Sequence, residues 1–150
     1  EIITRKFEDH ATALWAIVGD LNDAEGFRFV SKVENSDGSF NETQKDQNAS
    51  GFDTAGVTPI LFDDFGVNLL NALSEEDRWT HFYSSGRHKT QLDYIITSPA
   101  LATRLRGTPE VIRAGMPYRV PNLDVSRYPR IGWDRPKASD HCPVVAEFDI

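Results

Sequence analysis

A chain of 150 residues, 39% hydrophobic and 26% charged, is long enough to bury one core and too short for two, so one domain or part of one is expected. No stretch approaches the ~20 consecutive apolar residues that span a bilayer, the N-terminus lacks an apolar signal core, and the single cysteine, Cys142, excludes an internal disulfide and a multi-cysteine zinc site. The net charge of −7 argues against a protein that holds nucleic acid by bulk electrostatics, which would be basic throughout.

In chain order, Ile2, Ile3, Phe7 and Ala11 recur at helical spacing over 2–12, and "LWAIV" at 14–18 reads as a buried strand. The stretch 35–51 is polar, aperiodic and rich in Gly, Ser and Asn, and is expected to be a long surface loop. "TPILFDDF" predicts a short helix with Thr58 as N-cap and Pro59 in its first turn, and "SEED" at 74–77 predicts another helix start. "WTHFYSS" and "TQLDYIITS", separated by "GRHK", read as an antiparallel hairpin. Ser98 then caps a helix with Pro99 at its first position, 115–137 is rich in turns, and "PVVAEFDI" supplies a last strand. This mixture predicts an α/β or α+β chain with antiparallel pairing rather than a parallel doubly wound sheet.

The charge is uneven. Lys and Arg number 5 against 10 Asp and Glu in residues 1–50, 3 against 7 in 51–100, and 8 against 6 in 101–150. Most cations of the last third lie in Pro- and Gly-punctuated sequence, where they would meet a phosphate-bearing ligand or, more simply, decorate a solvated loop.

Three polar clusters adjoin apolar strands: Gly19-Asp20-Leu21-Asn22-Asp23, then Gln91-Leu92-Asp93-Tyr94, and Ser139-Asp140-His141 before Pro143. Strand ends hold side chains on a firm scaffold. If extended backbone persists, Asp20 and Asn22 face one way while Leu21 packs inward. The simpler reading of the first cluster is turn chemistry, in which Asp and Asn bond their own backbone. Asp93 resists such a reading, because a lone carboxylate in an apolar strand costs several kcal/mol unless paired. No role is assigned to His10, His81, His88 or Cys142.

Together, "VGDLND", "QLDYIITS" and "SDHCPVVAEF" resemble the last three motifs of the endonuclease/exonuclease/phosphatase superfamily, which includes deoxyribonuclease I and the abasic-site endonucleases. The wider stretches "DRWTHFYSSGRHKTQLDYIITSPAL" and "DRPKASDHCPVV" are similar to bacterial predicted extracellular nucleases. The resemblance covers nearly the whole chain apart from a polar insert at about 24–57. It implies a phosphodiester hydrolase of nuclease type acting on DNA or RNA, with a lipid or inositol phosphate phosphatase, or a non-catalytic binding remnant, as alternatives. It also leans toward an extracellular or periplasmic location.

By the same resemblance, Asp20 orients or deprotonates the attacking water, and Asn22 beside it holds a non-bridging phosphate oxygen. Asp140, with Asp20, helps bind a divalent cation, His141 contacts the scissile phosphate, and Asp93 orients His141 and stabilises its imidazolium. Oxygen ligands without thiolate favour Mg²⁺, with Mn²⁺ or Ca²⁺ as substitutes. The family fold is a four-layer sandwich, two mixed, mostly antiparallel sheets between helical layers. Its first half supplies an Asn, a metal-binding Glu and a further His, for which residues 1–18 offer no match. The chain 1–150 is therefore expected to be the C-terminal part of one such domain. Its apolar sheet face would need the missing half or a second copy of the chain as cover.

Overall fold

The structure, a computed structural model, describes residues 2–23, 29–34, 40–45, 57–61 and 65–150. Its strands are β1 (Ala16–Asp20), β2 (Phe29–Glu34), β3 (Phe40–Lys45), β4 (Val67–Asn68), β5 (His81–Tyr83), β6 (His88–Thr90), β7 (Asp93–Thr97), β8 (Leu105–Val111) and β9 (Val144–Phe148). The helices are short: α1 (Ile2–Lys6), α2 (Thr58–Leu61) and α3 (Pro99–Ala102), with 3₁₀ turns at Leu69–Ala72 and Glu75–Asp77. Every strand pairing among the described residues is antiparallel, and the class is α+β.

The sheet that carries Asp20 and Asp93 has the order β1-β7-β4. Its central strand β7 reads Asp-Tyr-Ile-Ile-Thr, aromatic and β-branched residues that suit a pleated, packed surface. The register pairs Ile17 with Ile96 and Gly19 with Tyr94 on one face, and Val18 with Ile95 and Asp20 with Asp93 on the other. On the first face, Tyr94 and Ile96 join Trp15 and Val57 in a core cluster, against which Ile3, Phe7, Ile17, Leu21 and Phe65 pack. Complete burial of a side chain such as Ile96 contributes roughly 1.5–3 kcal/mol. A second cluster joins Leu70, Trp79, Phe82, Val111, Met116, Val120 and Cys142, bringing β5, β8 and the chain before β9 around one core.

Gly19 sits one residue before the end of β1 at φ +145°, a conformation that side chains with a Cβ rarely adopt. The strand turns there, and Asp20 emerges at its tip. Leu21 folds back into the first core and its amide donates to Leu92 O at 2.9 Å, which locks the end of β1 to the start of β7.

Several expectations need correcting. The helix expected over 2–12 ends at Lys6; Asp9 then accepts from the Ala11 amide at 3.1 Å, a local side-chain bond that competes with helix continuation. Of "LWAIV" only residues 16–18 lie in β1, which among the described residues is an edge rather than a buried strand, and Val18 is 66% exposed. Within the loop expected at 35–51, residues 40–45 form β3 and pair with β2; the remainder of that stretch lies outside the described residues. The long hairpin is two separate pairings: β5 pairs with β6, while β7 leaves for the other sheet. Thr80 explains the switch, because its Oγ1 accepts from the amides of both Leu92 and Asp93, at 3.1 and 3.0 Å. "SEED" makes one 3₁₀ turn only. By contrast, Ser98 caps α3 as expected, accepting from Leu101 N, with Pro99 in the first turn, and the last strand is β9.

Candidate functional site

The β1–β7 register puts Asp20 directly across the ladder from Asp93 on one face of the sheet. His141 reaches the same place from elsewhere in the chain. Residues 140–142 run along β5: Phe82 N donates to Asp140 O at 3.0 Å, Cys142 N donates to Thr80 O at 2.6 Å, and His81 and His141 form a bridge. Thr80 therefore ties both the 140–142 segment and β7 to one backbone position, so the three clusters marked in the sequence share one rigid rim.

His141 Nδ1 lies 2.9 Å from Asp93 Oδ2. A carboxylate can only accept, so Nδ1 carries the proton and donates it to this bond. That fixes the ring and leaves Nε2 facing the Asp20 carboxylate, 4.0 Å away. The part-buried carboxylate of β7 thus has the partner its location calls for. One ligand atom each from Asp20, Asp93 and His141 falls within 4.8 Å of the other two, an arrangement able to hold a metal ion.

Asn22 departs from the extended geometry that the sequence predicts. At φ +50° it has left the strand. Its amide N donates to Asp20 Oδ1 at 2.9 Å and its side-chain Nδ2 donates to Asp20 Oδ2 at 3.3 Å. The turn chemistry of this cluster and its placement beside Asp93 and His141 therefore coexist: the turn aims the carboxylate. Asp23 serves the loop instead, Oδ2 accepting from Val57 N at 2.8 Å.

Asp140 stands outside the three-residue group. Its Oδ2 pairs with Lys137 Nζ at 3.5 Å. Partial burial works against its ionisation, but a hydrogen bond to its own amide and the Lys137 charge outweigh that and hold its carboxyl below the usual range.

His81, given no role by the sequence, is part of this neighbourhood. Its ring centroid lies 4.7 Å from that of His141, and its Nδ1 lies 3.1 Å from Thr90 Oγ1. Burial first, and then the charge of His141, push its pKa below the ordinary value. Strand alternation alone gives no signal for this contact, since the partner lies sixty residues along the chain. Of the other residues set aside, His10 stacks on Phe65 at 4.6 Å, a packing role. The Cys142 thiol is pushed up to about 12 by burial and is no nucleophile at neutral pH.

A cleft of about 320 Å³ opens beside the Asp93–His141 pair, walled by Met116, Tyr128, Cys142 and Pro143. No protein-family model, curated protein or solved structure matches the chain.

Proposed function

We propose that the chain carries the C-terminal part of a metal-dependent phosphodiester hydrolase of nuclease type, built on the four-layer sandwich that its motifs imply. The observation that supports this most is the Asp20, Asp93 and His141 group at the sheet rim. In this reading Asp93 holds the imidazole through Nδ1, and the doubly protonated ring would donate from Nε2 to a non-bridging phosphoryl oxygen. Asp20, across the gap, orients the attacking water or takes its proton. Asn22 orients Asp20 through its two bonds to that carboxylate and presents an amide to the phosphate.

The donor set fits a hard divalent cation such as Mg²⁺, with Mn²⁺ or Ca²⁺ as substitutes, because two of the three donors are carboxylates and none is a thiolate. Such an ion, when bound, neutralises charge developing on the phosphoryl group. Asp20 and Asp93 would hold it; Asp140 joins them only by giving up Lys137.

Two further features support a domain completed by a partner surface. Val18 and Ile95 lie on the same sheet face as Asp20 and Asp93, and Val18 is 66% exposed. Two carboxylates are also few for a cation that takes six or more oxygens. The cover is the remaining half of the domain, which contributes further ligands, or a second copy of the chain. A non-catalytic binding remnant is the competing reading, favoured by the turn of Asp140 toward Lys137. Substrate choice within the class, nucleic acid or a lipid or inositol phosphate, lies with loops around the rim.

The test is hydrolysis of a generic phosphodiester with Mg²⁺ or Mn²⁺, run alongside solution mass by light scattering. This chain alone is expected to be inert or to self-associate, and activity is expected once the rest of the site is supplied. Robust metal-dependent turnover by a strict monomer of this chain would refute the incomplete-site reading. Absence of turnover in the completed protein would favour the remnant.

A further inference from the structure

The excursion over 115–137 between β8 and β9 enters the scheme above only through Lys137, which pairs with Asp140, and through Met116 and Tyr128, which wall the cleft. It carries 5 of the chain's Lys and Arg against 2 acids in a protein of net charge −7. Three large aromatic residues stand out from it: Tyr118 is 54% exposed, Tyr128 52% and Trp133 73%. Rings of this size are normally drawn into a core or an interface.

These rings are presented by a pinned backbone. Tyr118 N donates to Gly132 O at 3.1 Å and Arg119 N to Trp133 O at 2.8 Å, clipping the two arms of the excursion together. Two of its cations are structural. Arg127 donates to Met116 O at 2.8 Å and Val125 O at 2.7 Å while covering the Tyr118 ring, and Arg119 bridges Asp134 at 2.9 Å and Ser84 O at 3.2 Å. Arg130 and Arg135 are exposed, and neither has an ion pair or side-chain hydrogen bond among the described residues. The surface therefore combines rigid, open aromatic faces with unspent guanidinium charge. It is continuous with the rim, since Tyr128 walls the cleft beside Asp93 and His141.

We propose that this excursion is a docking surface for single-stranded nucleic acid, whose bases stack on Trp133 and Tyr128 and whose phosphates meet Arg130 and Arg135, feeding the strand toward His141. The inference rests on the phosphodiesterase reading for its direction, though binding itself needs no turnover. Stacking requires bases whose faces are free, which a duplex withholds and a single strand offers. Two free cations set in an acidic protein give modest electrostatic attraction, so stacking supplies the selectivity for strands over other polyanions. A protein partner would instead want a contiguous apolar patch, whereas exposed arginines alternate with the rings along the chain here, Tyr128, Arg130, Trp133, Arg135.

Trp133 provides its own reporter, because the other two tryptophans, Trp15 and Trp79, are buried. The whole chain is titrated in EDTA with an oligothymidylate, a duplex of equal length and an abasic oligomer of equal charge, following tryptophan emission and anisotropy of the labelled oligomer. The oligothymidylate is expected to quench emission and to bind at least about tenfold more tightly than the abasic oligomer. Trp133→Ala and Tyr128→Ala each weaken binding by roughly five- to a hundredfold, while Trp133→Phe restores most of it. Arg130→Ala with Arg135→Ala flattens the salt dependence. Equal binding of abasic and thymidine oligomers, equal binding of the duplex, or unchanged affinity in Trp133→Ala overturns the proposal. Binding is read in EDTA without turnover, so strand binding by a protein that shows no hydrolysis bears on the catalytic reading alone, and loss of base-dependent binding bears on the docking surface alone.

Discussion

Asp20→Asn separates a catalytic carboxylate from one that merely shapes a turn, because the two roles predict different combinations of stability and turnover. Asp20 stands directly opposite Asp93 in the β1–β7 ladder, and like charges so placed oppose folding by about 0.2–1 kcal/mol. The Asp20 side chain is 38% exposed, so solvent screening puts the repulsion in the lower part of that range. Asparagine keeps an oxygen to accept the Asn22 amide, now at 2.9 Å, and removes the charge, at the loss only of the longer, exposed 3.3 Å bond from Asn22 Nδ2. The substitution should therefore leave stability unchanged or raise it by a few tenths of a kcal/mol, which at this size is a shift in Tm of roughly 0.5–2 °C. The gain should disappear in 1 M salt. Turnover of a phosphodiester by the protein that carries the completed site should fall at least ~100-fold, the usual scale of a lost general base. Calorimetry and a chromogenic diester assay on the same preparation measure both. A fall in Tm of several degrees with turnover within a few-fold of wild type would mean that Asp20 is a turn residue and would sink the assignment.

Asp93→Ala and His141→Ala, taken through a double-mutant cycle by urea unfolding, should show a coupling of about 1.5–3 kcal/mol, the range of charge-assisted hydrogen bonds; additive effects would mean the 2.9 Å contact is idle. His81 has a pKa lowered by burial and by His141, so the fold favours its neutral form. Its contribution to stability is complete above the ordinary value of 6.5 and is lost as pH falls below it toward the folded-state value. His81→Gln should consequently flatten the loss of urea midpoint between pH 7 and pH 5, and an unchanged slope would contradict this. Cys142, buried in the second core with its thiol pushed up to about 12, should resist a thiol reagent at pH 8 until the protein unfolds. Cys142→Ser should spare activity but cost about 1–3 kcal/mol, because a hydroxyl then occupies an apolar site; rapid labelling of the native thiol would contradict the packing.

What was legible in the sequence was the chemistry whose cost is local. A carboxylate inside "LDYIIT" needs a partner wherever it folds, and His141 is that partner at 2.9 Å. Ser98 before Pro99 spells a helix start in adjacent residues, and α3 follows. What depended on distant contacts was not legible. The run "LWAIV" announces a strand without saying which face is covered, and Val18 is exposed. Strand β8 carries no plain signal, since Gly107, Thr108 and Pro109 interrupt any alternation; the strand accommodates them through an irregular register between Arg106 and Glu110, with Gly107 at φ +67°. The contact of His81 with His141 joins segments that no spacing rule connects, and the Lys137–Asp140 pair, three residues apart, engages Asp140 outside the Asp20, Asp93 and His141 group.

The most direct test of the central claim is metal-dependent hydrolysis of a phosphodiester by the protein that carries the completed site, compared between wild type and His141→Ala. His141 is held by Asp93 and faces Asp20, so turnover with Mg²⁺ or Mn²⁺ should fall at least ~100-fold in the variant, with the fold retained by circular dichroism. Turnover that is insensitive to EDTA, or within a few-fold of wild type in His141→Ala, would contradict the assignment of this rim as the catalytic site.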